Sequence, residues 1–369
     1  MTRAGSKWRQ FDVLLLIATI LLTVFGILMI RSATLNAIDT DLINRVPDQI
    51  RFAILGILVM FGLAALDYRL LGGLHQWLYL LMVALLVLVF FFGVEGDAGA
   101  KSWINIGIRV QPSEVAKVLI IITLGHLLAT NYEKMGRITT IIKSLIHVGI
   151  PMGIIFIQPD LGMAIVFGVM WVVMVWAAGL RLKHIAAFAL IILLSAPIAV
   201  PVVWSQMKDY QKSRITSFIF PESDPDAYYN ILQARISIGS GGLDGKGYAQ
   251  GPQNVGRFLR VRHTDFIFSV IGEEFGLVGG VLVIAGLGFV ILRILRGARQ
   301  AADPLGSLIC YGVATFIFFQ TVVSIGMNLS LMPVTGLTLP FLSSGGTSLL
   351  STLAGIGLAE SVIMRRRRI

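Results

Sequence analysis

The chain contains a series of apolar runs, each close to twenty residues long and separated by short polar segments. A helix of about twenty residues is roughly 30 Å long, which matches the hydrocarbon core of a bilayer. Hydrophobic residues make up 56% of the 369 residues and charged residues only 14%, which excludes a soluble globule and a disordered chain. Unbroken runs also argue against a barrel of short alternating strands. We therefore predict an all-α polytopic membrane protein.

The apolar runs predict about ten transmembrane helices in a single membrane domain that covers residues 1–369. The predicted spans are 12–31, 50–66, 76–93, 114–130, 139–157, 161–179, 184–203, 265–292, 306–329 and 346–364. Ten spans place both termini on one side, and Lys and Arg are concentrated next to the spans on that side. Because short cytoplasmic loops retain positive charge, both termini are expected in the cytoplasm. The same rule explains the net charge of +10, so no nucleic-acid partner is expected.

This topology places a large loop, residues 205–264, outside the cytoplasm. Loops of that length are usually functional or disordered, and this loop is rich in aromatic residues rather than disordered in character. An apolar stretch at 231–238 predicts a short membrane-associated helix. The Gly-rich segment 239–247 that follows resembles a phosphate loop only superficially, because no ATP is present outside the cell. Tight backbone packing of this segment within the protein is the favoured interpretation.

Charged residues inside or beside spans are rare and usually functional. Glu114 and Lys117 lie three residues apart on one helix face, so they form either a structural ion pair or part of a binding site. Asp160 lies in a tight turn between two spans, where both a plain polar turn and a functional role are open. The lone cysteine, Cys310, excludes disulfides and cysteine metal clusters.

Asp265 stands at the start of a long apolar helix, where a carboxylate is stabilised by the helix N-terminus. Capping alone would explain that acid, but it does not explain Glu273 and Glu274, which follow two or more turns deeper in the same predicted span. Residues 333–347 contain prolines and glycines between apolar positions, which predicts a broken, re-entrant segment that lines a polar cavity. Together these features predict a polar pocket open to the outer face.

The chemistry of such a pocket is limited by its position. No nucleotide is available outside the cell, and the sequence shows no plausible Ser-His-Asp arrangement on that side. The substrate must therefore carry its own leaving group, as a lipid-linked pyrophosphate sugar does. One carboxylate acting as general base toward an acceptor hydroxyl, with cationic groups or a divalent ion on the pyrophosphate, would be sufficient.

Four motifs together resemble the SEDS family (shape, elongation, division and sporulation), and the resemblance covers nearly the whole chain. They are the run from His263 to Phe268 followed by 272–276, the segments 111–114 and 158–162, and the segment 340–346. The amino-acid sequences of the loop segments 209–211, 221–225 and 238–247 are more similar to the elongation branch of the family than to its division branch.

The resemblance implies a peptidoglycan glycosyltransferase of the bacterial cytoplasmic membrane that polymerises lipid II, releases undecaprenyl pyrophosphate, and serves cell elongation and rod shape. It also implies a class B penicillin-binding protein, other elongation-complex proteins and membrane lipids as partners. The essential loop aspartate of the family maps onto Asp265. Its polar cavity maps onto Trp103, Arg109, Glu114, Lys117 and Asp160. Further candidates for substrate binding in the loop and the re-entrant segment are Arg214, Lys246, His263, Thr264 and Ser343.

The sequence departs from the family pattern at a few positions. Ser102 stands where an arginine commonly precedes Trp103, residues 260–261 differ from the usual Pro-Glu, and Ser344 replaces a tyrosine. The first departure removes a cation near the substrate, which Arg109 or Arg262 is expected to supply. None of the departures changes Asp265.

Few certain cations face the pyrophosphate in this interpretation, so a divalent cation, Mg²⁺ or Mn²⁺, is expected. Asp265 is the first candidate ligand and Asp160 the second. Two rival functions stay open at this point. A lipid II flippase would use the same cavity without chemistry, although every unusual polar motif lies on the outer side. A pure scaffold would not explain costly charges within spans.

Overall fold

The computed structural model describes residues 8–35, 40–95, 101–105, 107, 109–220 and 225–367. Ten long helices lie at the ten positions that the apolar runs predict. They are α1 (Val13–Thr34), α2 (Arg45–Ala65), α3 (His75–Phe92), α4 (Pro112–Thr130), α5 (Ile138–Ile157), α6 (Leu161–Ala177), α7 (Leu182–Gln206), α10 (Ile267–Gln300), α11 (Pro304–Asn328) and α12 (Gly346–Ile363).

Within the described residues, eight of these helices are long and apolar enough to cross a membrane. Of the other two, α6 is apolar but has only 17 residues, and α7 has 25 residues with Pro197 and Pro201 inside it. The protein is thus a multi-pass helical membrane protein, as the sequence predicts. The most buried helices are α11 and α12, whereas α3 exposes most of its apolar side chains.

The long loop contains helices, in agreement with the prediction. Helix α8 (Asp209–Ile219) follows α7 closely, and α9 (Pro225–Gly241) includes the stretch 231–238 that was predicted as a short helix. The loop motif at 221–224 lies outside the described residues. Shorter helical turns occupy Thr40–Ile43, Tyr68–Gly73, Tyr132–Lys134 and Pro252–Val255.

A small antiparallel sheet joins α3 to α4, and the sequence does not predict it. Its strands are β1 (Gly93–Glu95), β2 (Lys101–Asn105) and β3 (Arg109–Val110), in the order β1-β2-β3. Trp103 pairs with Val94, and Asn105 pairs with Arg109. We call the face that carries this sheet and the loop helices the site face, and the opposite face, where both described ends of the chain lie, the terminal face.

The Gly-rich segment packs its backbone against a kink in α10, as the sequence analysis favours. Gly276 has φ +63° and ψ −160°, which interrupts the helix. The freed backbone groups pair with the segment: Leu277 N–H donates to the Gly242 carbonyl at 2.9 Å, and Lys246 N–H donates to the Glu273 carbonyl at 2.9 Å. The segment therefore replaces helix hydrogen bonds that the kink removes.

The kink separates Glu273 and Glu274 from the long apolar part of α10. The part of α10 after the kink, residues 277–300, is about 36 Å long and is sufficient to span a bilayer by itself. Glu274 accepts a hydrogen bond from Ser32, close to the site-face end of α1. At the other end of the same helix pair, Arg293 and Asp12 form an ion pair at 2.6 Å. The two glutamates thus lie just before the kink, close to the site-face end of α1.

Gly276→Ala is expected to destabilise the protein. A Cβ at this position would overlap the backbone of Leu243, and the φ and ψ values belong to a region that only glycine occupies readily. Gly288→Ala, on the same helix with nothing within 4 Å of its Cβ position, is the matched control and is expected to be neutral. Thermal unfolding in detergent measures both, and equal midpoints for the two variants would contradict the inferred strain.

Candidate functional site

The Asp265 turn is held in place by the re-entrant segment. Residues 261–266 form turns that precede α10, and Asp265 itself is half-buried. The Ser343 hydroxyl donates to the Thr264 carbonyl at 2.7 Å, and Ser344 N–H donates to the His263 carbonyl at 2.9 Å. The motif residues 263–265 and 343–344, far apart in sequence, therefore lie side by side, as the predicted pocket requires.

The re-entrant segment itself is buried within the protein, as predicted. Leu339, Phe341 and Leu342 are buried although residues 333–339 are neither helix nor strand. The side chain of Gln49 on α2 holds the segment, because its amide nitrogen donates to the Ser343 carbonyl at 3.4 Å and its oxygen accepts from Gly345 N–H at 3.2 Å. Irregular backbone at membrane depth is stable only with such internal partners.

A second clamp holds the Asp265 turn from α11. The Asn328 side chain donates to the Asp265 carbonyl at 2.8 Å, and its oxygen accepts from Ser269 N–H at 2.9 Å. Asn328 is completely buried. Asn328 is not among the predicted site residues, although an amide inside an apolar span is itself unusual.

Glu114 and Lys117 form a buried ion pair. Their charged atoms are 2.6 Å apart, and the side chains are 4% and 0% exposed. Two further helices satisfy the pair: the Ser351 hydroxyl donates to Glu114 at 2.7 Å, and Lys117 donates to the Gln320 side chain at 3.2 Å. Lys117 also lies 4.4 Å from the centre of the Phe316 ring. The pair thus joins α4, α11 and α12.

Helix α11 contacts both this ion pair and the Asp265 turn. Gln320 contacts Lys117, and Asn328 contacts the Asp265 carbonyl. Eight residues of helix separate the two amides, which corresponds to about 12 Å along the helix axis. The ion pair therefore lies about two turns below the Asp265 turn, toward the terminal face.

Asp160 lies in the turn before α6 and caps that helix, with its carboxylate accepting from Met163 N–H at 3.1 Å. The other carboxylate oxygen accepts from Gln111 at 2.8 Å and from Ser113 at 3.5 Å. Burial and the charge of Glu114 raise the pKa of the Asp160 carboxyl, whereas the hydrogen bonds from Met163 and Gln111 and the charge of Arg214 oppose the rise. The structure thus brings the motifs at 111–114 and 158–162 together, with Arg214 close by.

The remaining candidate cations are distributed around this region. Arg109 is exposed on strand β3, which lies against α12, and Trp103 is half-buried on β2. Lys246 is exposed and lies beside Glu273 at the α10 kink, at a distance of two helical turns from Asp265. Arg262 was expected to be a substitute cation for the pocket, but its guanidinium donates to the Ala33 carbonyl at 2.6 Å.

Glu273 and Glu274 bind the protein's own backbone and side chains. Glu273 accepts from Gln253 N–H at 2.7 Å and from Asn254 N–H at 3.1 Å. Glu274 accepts from the Asn254 side chain at 2.8 Å and from Ser32. Both acids therefore fasten the end of the long loop to α10 and α1, which accounts for their presence without a catalytic role.

Among the described residues, no three His, Cys, Asp or Glu side chains are placed to hold a metal ion together. A Mg²⁺ ion needs only one or two carboxylates when substrate phosphates supply other ligands. Asp265 is a candidate for that mode, because it lies on the site face and is half-buried. Asp160 fits it less well, since both of its oxygens already accept hydrogen bonds.

Comparison with known proteins gives matches over the full architecture. The model of the FtsW, RodA and SpoVE family, described as cell cycle protein, matches residues 12–368. The peptidoglycan glycosyltransferase MrdB of Escherichia coli K12 is 34% identical, with 97% of this chain and 95% of that protein covered. A probable peptidoglycan glycosyltransferase FtsW from Geobacter metallireducens is also 34% identical, with coverage of 97% and 96%.

Two solved structures share the fold. One comes from a study of the structural coordination of polymerization and crosslinking by a peptidoglycan synthase complex; its TM-score is 0.80 at 31% identity, with 97% of this chain and 99% of that chain covered. The crystal structure of the rod shape determining protein RodA from Thermus thermophilus has a TM-score of 0.68 at 29% identity, with coverage of 97% and 98%.

Proposed function

Because the chain belongs to the FtsW, RodA and SpoVE family and is a peptidoglycan glycosyltransferase, we propose that it polymerises lipid II with Asp265 at the reaction centre. The observation that carries this assignment is the pair of clamps on the Asp265 turn. Ser343 and Ser344 hold it from the re-entrant segment, and Asn328 holds it from α11. A turn fixed from two sides keeps one carboxylate oriented, as a general base requires.

In the proposed reaction, Asp265 accepts the proton of the acceptor 4-hydroxyl as that oxygen attacks the anomeric carbon of the donor. A new glycosidic bond forms, the bond to the pyrophosphate breaks, and undecaprenyl pyrophosphate leaves with the electron pair. Attack from the opposite side converts the α-linked donor into a β-linked chain. Arg109, Arg214 and Lys117 are the cationic groups proposed to bind the pyrophosphate, with Trp103, His263, Thr264 and Lys246 proposed to contact the rest of the substrate.

A divalent cation, Mg²⁺ or Mn²⁺, is proposed to assist at this site. When bound, such an ion offsets the negative charge that grows on the departing pyrophosphate. Asp265 is the first proposed protein ligand, because it lies in the turn that the site-face clamps hold, and Asp160 is the second. Lys117 cannot fully supply the missing charge, since Glu114 neutralises it at 2.6 Å.

The proposed location of the site is the outer side of a bacterial cytoplasmic membrane, with both termini in the cytoplasm. Basic residues support this orientation because Arg69, Arg293 and Arg365 all lie on the terminal face and pair with Asp303, Asp12 and Asp67. The site face then meets lipid II after that lipid has crossed the membrane.

The proposed partner is a class B penicillin-binding protein, which would cross-link the glycan strands, together with other proteins of the elongation complex. Support comes from the similar chain in a peptidoglycan synthase complex, which covers 97% of this chain. We also propose a role in cell elongation and rod shape, because the sequence of the long loop resembles the elongation branch. The similar relatives include both MrdB and FtsW proteins.

The alternative function is a lipid II flippase without polymerase chemistry. The test uses purified protein in detergent, labelled lipid II, and buffers with or without a divalent cation, with no other protein added. We expect glycan strands in this assay, because a polymerase needs only its substrate. A flippase would make no strands, and a detergent micelle offers it no membrane to flip across. Protein that moves lipid II between the leaflets of liposomes but makes no strands in detergent would identify the flippase.

Glu114→Gln and Lys117→Met are each expected to impair polymerisation, and the double variant is expected to lose less than the sum. Each single change leaves one charge buried without its partner, whereas the double change removes both charges. The expected coupling free energy is about 0.5–3 kcal/mol, taken from polymerisation rates per folded protein. Fully additive losses would mean that the two residues contact the substrate independently.

A further inference from the structure

The N-terminus of α10 is capped in an unusual way. The N-cap residue is Phe266, whose side chain has no polar atom, so α10 lacks the usual side-chain acceptor for its third helical N–H. That N–H belongs to Ser269, and it donates both to the Phe266 carbonyl at 3.0 Å and to the side-chain oxygen of Asn328 at 2.9 Å. The cap of α10 is thus supplied by another helix, 59 residues away in sequence.

All four hydrogen-bonding positions of the Asn328 amide are used. The oxygen also accepts from the Ser269 hydroxyl at 2.7 Å, and the nitrogen donates to the Ser324 carbonyl at 2.7 Å and to the Asp265 carbonyl at 2.8 Å. The side chain is 0% exposed, so water does not compete for these bonds. A fully satisfied buried amide has one orientation, because turning it over would place donors against donors.

One side chain therefore fixes both the start of α10 and the backbone of Asp265. Helix α11 ends at Asn328, and the rigid helix carries the amide to the turn. The Asp265 carboxylate is then not required as the cap at Ser269, the role that its position at a helix start would otherwise favour.

We propose that Asn328 is a positioning residue that orients the Asp265 carboxylate toward the substrate. This inference rests on the proposed role of Asp265. It assigns Asn328 no contact with the substrate: the amide acts only through the backbone of Asp265 and the N-terminus of α10. Loss of the amide frees the Asp265 carbonyl and leaves Ser269 N–H with the Phe266 carbonyl alone, so the turn that carries the carboxylate is held less firmly.

The test measures kcat and KM for lipid II polymerisation by Asn328→Ala, at saturating divalent cation and per folded protein. We expect kcat to fall about tenfold to a hundredfold, since small displacements of a reacting group have effects of that size. KM is expected to change by less than about threefold, because the binding residues are intact. Ser269→Ala removes only the hydroxyl bond to Asn328 and is expected to retain kcat within about twofold.

Asn254→Ala is the matched control for loss of a buried amide. Asn254 is 4% exposed and bonds to Ser32 and Glu274, so its removal loosens the long loop at a point distant from the Asp265 turn. A purely structural role for Asn328 predicts that both variants lose thermal stability and that their kcat values fall alike. If Asn328→Ala does not fold, Asn328→Ser is measured instead, because a hydroxyl is too short to reach both Asp265 and Ser269.

The inference is overturned if the folded Asn328 variant keeps kcat within about twofold of the wild type, or if Asn254→Ala loses the same factor. Failure of the proposed function gives a different pattern, since Asp265→Asn would then polymerise lipid II normally. An inactive Asp265→Asn together with a fully active Asn328→Ala would therefore reject this inference alone.

Discussion

Asp265→Asn is expected to abolish polymerisation of lipid II by the purified protein. The amide has nearly the shape of the carboxylate but does not accept a proton, and general bases contribute about a hundredfold to ten-thousandfold to rates. The backbone contacts of the turn persist, because the Asp265 carbonyl still accepts from Asn328 and the neighbouring Thr264 carbonyl still accepts from Ser343. Incorporation of labelled lipid II into strands, resolved by gel electrophoresis, measures the effect.

The control for this experiment is Asp244→Asn. Asp244 is exposed in the Gly-rich segment, so its amide variant is expected to polymerise at the wild-type rate. Thermal stability and binding of the partner synthase should match the wild type for both variants. An Asp265→Asn protein that works near the wild-type rate would remove Asp265 from the reaction centre and leave the acids of the 111–114 and 158–162 motifs to be tested next.

The helices were predictable because the bilayer imposes a length and an apolar composition that are visible in any single segment. All ten predicted spans overlap helices, and their ends differ mostly by a few residues. The sheet was not predictable in the same way. Its strands of three, five and two residues are too short for an alternating pattern to be distinguished from irregular loop.

The kink beside Glu273 and Glu274 was not predictable for a different reason. The sequence analysis counts residues from Asp265 along one continuous helix, but the backbone of Gly276 interrupts that helix directly after these acids. Glycine at 276 is visible in the sequence, whereas its φ of +63° depends on hydrogen bonds from the segment 242–247, which is distant in the chain. The local sequence pattern therefore does not predict a kink whose hydrogen-bond partners lie elsewhere in the chain.

The ion pair between Glu114 and Lys117 was predictable from the sequence, whereas the amides that support this region were not. Glu114 and Lys117 are three residues apart, so their pairing follows from helix geometry alone. Gln320 and Asn328 lie on one face of α11, which gave a usable signal, but their partners Lys117 and Asp265 are 203 and 63 residues away. The sequence shows that polar residues lie inside a span, but only the fold shows which groups their side chains contact.

Removal of divalent cations is expected to abolish polymerisation, and added Mn²⁺ or Mg²⁺ is expected to restore it. The charge inventory of the site supports this result. Lys117 is neutralised by Glu114, Arg262 donates to the Ala33 carbonyl, and Ser102 stands where a cation is common in the family. Excess EDTA in the strand-forming assay, followed by titration of each metal, measures the dependence, and EDTA saturated with Mg²⁺ beforehand is the matched control.

The same experiment separates the two roles proposed for Asp265. A carboxylate that binds a cation competes poorly for a proton, so strict metal dependence would make its action as a base shared or indirect. Full turnover in excess chelator would instead show that Arg109, Arg214 and Lys117 balance the departing pyrophosphate without a metal. Asp265 would then act as an unassisted base, and its position would depend only on the protein's own clamps, from Asn328 on one side and Ser343 on the other.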